Sequence, residues 1–182
     1  MTGATTFRID AGLDTGDILA TLSEEIRPTD TADDLLTRLA HRGGDLLVQT
    51  MDGLEAGQIT PAPQQGAASY AGKISTPDAR IAWDAPAEVV DRHIRAHTPG
   101  PGAWTTLAGD RIKVGPLPSG IPEPVELPAL SPGALSVHKS AIYVGTGTRP
   151  VALGQIQPPG KKMMNAADWA RGVQLDEEVS FE

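Results

Sequence analysis

The sequence predicts an α/β segment followed by a mostly β small barrel, on three observations. The first 59 residues hold two β-type runs and one long amphipathic helix. Residues 60–72 read TPAPQQGAASYAG, polar and Pro/Gly-containing without periodicity, which is the composition of a linker. Beyond them, short apolar runs alternate with turn residues, the pattern of a barrel with an inserted helix. The expected division is therefore residues 1–59, a linker over 60–72, and a second domain over 73–182.

In chain order, residues 5–9 form a β-type run and residues 18–26 another, with Ile18, Ala20 and Leu22 on one face. Between them, residues 10–17 (DAGLDTGD) place three acids and two glycines in eight positions. Thr31 followed by Asp34 is a capping-box pattern, and Asp33 and Asp34 suit the positive end of a helix. Leu35, Leu36, Leu39, Leu46, Leu47, Met51 and Leu54 then recur at helical spacing, with Gly57 as terminator. After the linker, residues 79–83 read as a strand, and a short helix follows Asp84-Ala85-Pro86 with Val89, Val90, Ile94 and His97 on one side. Strands are expected over 103–107 and 111–114 around Ala108-Gly109-Asp110, over 134–137 and 141–144, and over 151–156. Asn165 with Asp168 caps a last helix that stops at Gly172. Two strands are too few to cover the apolar face of the first helix, so the first part reads as a piece of a larger domain.

Composition removes several function classes. A chain of 182 residues, 40% apolar and 21% charged, can bury a core and is not disordered. Without cysteine there is neither a disulfide framework nor a cysteine zinc site, and His41, His93, His97 and His138 form no HExxH motif; no metal is expected. No apolar run approaches the ~20 residues of a membrane span, and Met1-Thr2-Gly3-Ala4 does not open a signal peptide, so a soluble cytoplasmic protein is expected. The net charge of −8 is uneven: residues 1–70 carry −7, residues 71–175 carry +3, and Asp176, Glu177, Glu178 and Glu182 close the chain. A basic face on the second part can serve a polyanion while the first part does something else.

The loop DAGLDTGD, the junction SYAGKIS followed by ARIAW, the stretch IRAHTPGPGAW and the terminal QPPGKKMMNAADWARG occur in one order along the chain. Together they resemble the methionyl-tRNA formyltransferase family over essentially all 182 residues. The resemblance implies a Rossmann-like catalytic domain, of which residues 1–59 match the C-terminal part, followed by an OB-type barrel that helps hold tRNA. It implies transfer of a formyl group from 10-formyltetrahydrofolate to the amino group of methionyl initiator tRNA by a monomeric enzyme. One departure matters: the family's Asn-x-His and SLLP segment occurs nowhere in these residues. The chain is therefore expected to match the C-terminal portion of the enzyme and to be inactive by itself. A non-catalytic RNA-binding module, and a related folate-dependent formyltransferase or hydrolase with another acceptor, are the alternatives.

Asp14 matches the family's catalytic aspartate, where a carboxylate beside a neutral histidine sets its protonation and shuttles protons through water. By spacing alone, Asp14 also fits an ordinary acidic turn. The resemblance places Asp10, Ala11, Gly12 and Leu13 along the folate pocket. Lys73, Arg80, Arg92, Arg95, Arg111, Lys113, Lys161 and Lys162 are the candidate tRNA contacts, since cations on one face suit phosphates. Trp83, Trp104 and Trp169 read as core or barrel-edge anchors.

Overall fold

The computed structural model describes residues 1–118, 129–173 and 179–182; the acidic run Asp176-Glu177-Glu178 lies outside them. The chain divides into two compact units, Met1–Gly72 and Lys73–Glu182.

In the first unit, β1 (Thr2–Phe7) pairs antiparallel with β2 (Ile18–Glu24), from Thr2↔Glu24 to Phe7↔Ile18. Helix α1 (Ala32–Glu55) packs on this hairpin. It begins where the sequence signal places it. The Thr31 hydroxyl accepts the Asp34 N–H and the Asp34 carboxylate accepts the Thr31 N–H, so two otherwise orphaned donors are satisfied. Past Ala56, the left-handed Gly57 (φ 67°) ends it. The apolar stripe is two faces rather than one. Leu46 and Thr50 turn inward, Thr50 meeting Thr6 across the interface at 2.9 Å. Leu36 (64% exposed), Leu47, Val48 (62%) and Met51 stand in the open. A two-stranded hairpin is narrower than the helix's apolar circumference.

The first unit also reaches into the expected linker. Ile18 and Ala62 exchange both backbone hydrogen bonds, at 2.8 and 2.9 Å, which ties the start of residues 60–72 to β2.

In the second unit a 3-10 turn, Pro77–Ala79, replaces the start of the expected strand over 79–83. The Asp78 carboxylate accepts the Ser75 N–H and hydroxyl, which bends the chain, and only a single bridge, Arg80↔Trp104, follows. Helix α2 (Ala87–Ala96) then buries Ala87, Val90 and Ile94. Strands β3 (Trp104–Leu107) and β4 (Asp110–Val114) form a hairpin in which Leu107 faces Asp110. Its two-residue turn needs positive φ twice, and Ala108 (50°) and Gly109 (84°) supply it. Strands β5 (Leu135–Val137), β6 (Ile142–Val144) and β7 (Val151–Ala152) make a three-stranded sheet; β8 (Gln155–Gln157) and β9 (Met164–Asn165) extend β3 and β4 to a four-stranded one. Helix α3 (Ala166–Gly172) follows, with the Asn165 side chain accepting the Ala167 and Asp168 N–H groups.

Two expectations are corrected here. The run over 151–156 is two strands in different sheets. Gly154 lies between them, and a Cβ there would meet the Pro116 carbonyl oxygen at 3.0 Å, so the chain passes from sheet to sheet at a glycine. The described strands also do not close into a barrel. Strands of two to five residues leave two sheets, in the orders β3-β4-β8-β9 and β5-β6-β7. A single core joins them, with Ile112, Val114 and Ile156 from one sheet, Ile142 and Val144 from the other, and Ile94 from α2.

Trp83 and Trp169 are buried in that core. The Trp83 indole N–H donates to the Thr105 hydroxyl at 2.9 Å, and its ring stacks on Phe181 with centroids 5.7 Å apart. Burial pushes the His93 imidazole below its ordinary pKa of 6.5, beside the His97 ring at 4.2 Å.

Candidate functional site

The loop over residues 10–17 joins β1 to β2 and is held from three sides. At its base, the Arg8 N–H donates to the Asp17 carbonyl at 2.9 Å. Gly16 is required there, because a Cβ would lie 1.8 Å from the Arg8 carbonyl oxygen. Inside the loop, the Asp10 carboxylate accepts the Gly12 N–H at 3.0 Å and the Thr15 hydroxyl at 2.7 Å. From outside, one amide group clamps it: Gln64 Nε2 donates to the carbonyls of Asp14 (2.7 Å) and Gly16 (2.8 Å). Sequence reasoning missed Gln64, because a bond spanning 50 residues leaves no periodic trace.

Asp14 sits at the apex with φ 53°, a left-handed conformation that aspartate tolerates better than most residues. Among the described residues nothing is hydrogen-bonded to its carboxylate, whereas the Asp10 carboxylate is consumed by the turn. Ala11, Gly12 and Leu13 are exposed, and the apolar side chains of Ile9 (96% exposed) and Leu13 (74%) flank the loop in the open. The arrangement is an ordered backbone presenting one uncommitted carboxylate beside apolar surface.

A part-buried ion-pair network secures the other end of the hairpin. The Arg38 guanidinium donates to Glu24 (3.0 Å) and to both Asp30 oxygens (2.8 and 2.5 Å), and Arg42 also pairs with Glu24. Those bonds from Arg38 hold the Asp30 carboxyl at about 2, against an ordinary 3.8. Glu24 is held below its ordinary range by Arg42 and Arg38. Arg38 and Arg42 stand one helical turn apart opposite the acids, a spacing that could have signalled this anchor.

The candidate cations of the second unit fall into distinct environments. Lys73, Arg80, Arg92, Arg111, Lys161 and Lys162 are exposed. Arg95 is not free: it pairs with the buried Asp91 at 2.9 Å. Arg92 is exposed while Arg95 is half-buried, so the two do not act as one outer pair. The Lys113 ammonium donates to the Pro101 carbonyl at 3.0 Å and lines a cavity of about 190 Å3 with Gln155 and Gln157. Lys161 and Lys162 project from an ordered turn, in which the Lys161 N–H donates to the Pro158 carbonyl and Gln157 Nε2 donates to the Lys161 carbonyl. No cluster of three or more potential metal ligands occurs among the described residues, and no described helix is long and apolar enough to cross a membrane.

Comparison with known proteins bears on both units. Residues 1–51 match the formyl transferase family and residues 73–174 match the formyl transferase C-terminal domain. The chain belongs to the formyltransferase family. It is 70% identical over its whole length to a methionyl-tRNA formyltransferase of Corynebacterium efficiens and 53% identical, over 98% of its length, to one of Rhodococcus erythropolis. The chain spans 58% and 57% of the length of those two relatives. Among solved structures, HypX of Aquifex aeolicus in complex with tetrahydrofolic acid matches 98% of the chain, with a TM-score of 0.69 at 21% identity, over 33% of HypX. The sugar 3N-formyl transferase WlaRD matches 88% of the chain and 56% of WlaRD, with a TM-score of 0.56 at 16% identity. At these identities the structural likeness is one of fold.

Proposed function

We propose that these residues are the C-terminal portion of a cytoplasmic, monomeric methionyl-tRNA formyltransferase. Residues 1–59, with Ala62 and Gln64 from the following segment, complete the catalytic domain. Residues 73–182 serve as the tRNA-holding domain. The open apolar face of α1, with Leu36, Leu47, Val48 and Met51, is the surface that the rest of a catalytic domain would cover.

In the proposed reaction the methionyl amine attacks the formyl carbon of 10-formyltetrahydrofolate. A new C–N bond forms, the bond to N10 breaks, the amine loses a proton and N10 gains one. The products are formylmethionyl-tRNA and tetrahydrofolate. The Asp14 carboxylate manages that proton, directly or through water, and the backbone of Asp10, Ala11, Gly12 and Leu13 borders the folate. The observation that carries this reading is the loop itself, in which Gln64, Asp10 and Arg8 spend their hydrogen bonds on ordering the loop and leave the Asp14 carboxylate free among the described residues. Pre-ordered groups lose little entropy on reaching the productive geometry. Of the candidate cations, Lys73, Arg80, Arg92, Arg111, Lys113, Lys161 and Lys162 supply the tRNA surface, while Arg95 steadies α2 through Asp91.

The tRNA surface is tested at Lys161 and Lys162, whose ordered turn limits the entropy lost on binding. Replacing both with alanine is expected to weaken tRNA binding at low salt. The slope of log K against log salt should flatten by about 0.7–0.9 for each lysine–phosphate pair removed. Initiator and elongator tRNAs should be affected alike, because phosphate contacts carry no sequence information. Unchanged affinity and slope in a folded double variant would remove this turn from the interface.

A further inference from the structure

We propose that Arg80, Trp104 and Arg111 form a phosphate clamp for the tRNA backbone, with the indole as the positioning group. The clamp rests on the tRNA-binding role proposed for the second unit and adds a built site to it.

The geometry begins with strand alternation. Trp104 faces Lys113 and Thr106 faces Arg111 across the β3–β4 ladder, and facing residues share a side of the sheet. Thr105, Leu107, Ile112 and Val114 are buried, so Trp104, Thr106, Arg111 and Lys113 form the outer side. There the indole is fixed, because its N–H donates to the Thr76 carbonyl at 2.7 Å. Arg80 arrives from the turn before it through the Arg80↔Trp104 bridge, and the neighbouring Ile81 N–H donates to the Trp104 carbonyl at 2.8 Å.

Two guanidiniums converge on that one ring, Arg111 at 4.7 Å and Arg80 at 5.6 Å from its centroid. Five other arginines of the chain pair with carboxylates: Arg38, Arg42, Arg95, Arg149 and Arg171. Among the described residues, Arg80 and Arg111 do not, nor do Arg8, Arg27 and Arg92, but only Arg80 and Arg111 share an aromatic ring. Thr106, across from Arg111, donates to the Glu182 carboxylate at 3.3 Å, so the acid at this edge is engaged by a hydroxyl. Two like charges gathered on one fixed aromatic repel one another, and a phosphate drawn to either of them lowers that cost. Guanidinium forks match phosphate oxygens in pairs. The ring is already engaged by both cations, so it serves to aim them.

The test uses the whole 182-residue chain and labelled tRNA across a salt series. Replacing Arg80 and Arg111 with alanine is expected to weaken binding and to flatten the salt slope by about 0.7–0.9 for each arginine–phosphate pair removed. Trp104→Leu, which leaves both charges in place, is expected to weaken binding about three- to tenfold. Trp104→Phe, which keeps an aromatic face, should recover part of that loss. In the background lacking both arginines, Trp104→Leu should cost nothing further. An equal cost in both backgrounds would make Trp104 a merely structural residue and overturn its positioning role. An unchanged slope in the double-arginine variant would overturn the clamp, and that arm needs no change at Trp104. If the unaltered chain binds tRNA through Lys161 and Lys162 while the arginine variant is unaffected, the clamp alone fails. If the unaltered chain binds no tRNA, the tRNA-binding role of the second unit fails with it.

Discussion

Asp14→Asn, in an enzyme completed by joining this chain to the N-terminal portion of a relative, is expected to slow formyl transfer by about two or more powers of ten. The amide keeps the size and hydrogen-bonding reach of the side chain but can neither hold the negative charge nor take a proton. The turn should survive, because its order comes from Asp10, Gln64 and the Arg8–Asp17 bond. Asp17→Asn is the control. Asp17 enters the loop through its backbone carbonyl, which the substitution leaves in place, so its effect on single-turnover rate should be far smaller. Equal losses at both positions would mean that the loop acts only as a folding element.

Trp83→Ala is expected to destabilise the second unit by about 3–5 kcal/mol, a large part of the stability of a domain this size. Three losses combine in it. The substitution opens a cavity where a side chain only 4% exposed had been, it removes the stack on Phe181, and it leaves the buried Thr105 hydroxyl without the indole donor. Trp83→Phe should recover most of the packing and none of the hydrogen bond. Urea unfolding followed by near-ultraviolet circular dichroism reads the difference. A loss under about 1 kcal/mol would show that the core reorganises around the site.

What could be read from the sequence was local. The Thr31–Asp34 box, the Asn165 cap and the turn at Ala108-Gly109 are each set by residues within a few positions of one another, and all three form. The acidic loop between two strands is legible for the same reason. What escaped is long-range. Gln64 lies in a segment whose composition reads as linker, and only the folded chain brings it to Asp14 and Gly16. The Glu24–Arg38–Asp30 anchor joins a strand end, a turn and a helix. The run over 151–156 has one continuous apolar pattern but serves two sheets, because burial in either looks the same along the chain. Trp104 reads as an edge anchor in the sequence, and no pattern there places Arg80 and Arg111 on its ring.

The Asp14 loop, on this account, completes a formyl-transfer site whose remaining groups come from outside these 182 residues. Single-turnover transfer of a labelled formyl group from 10-formyltetrahydrofolate to methionyl initiator tRNA tests it, comparing this chain alone with the chain joined to the N-terminal portion of a relative 70% identical to it. The expected result is no transfer by the chain alone, and transfer by the joined protein that Asp14→Asn removes. Transfer by the chain alone, or a folded, tRNA-binding joined protein that transfers nothing, would contradict it.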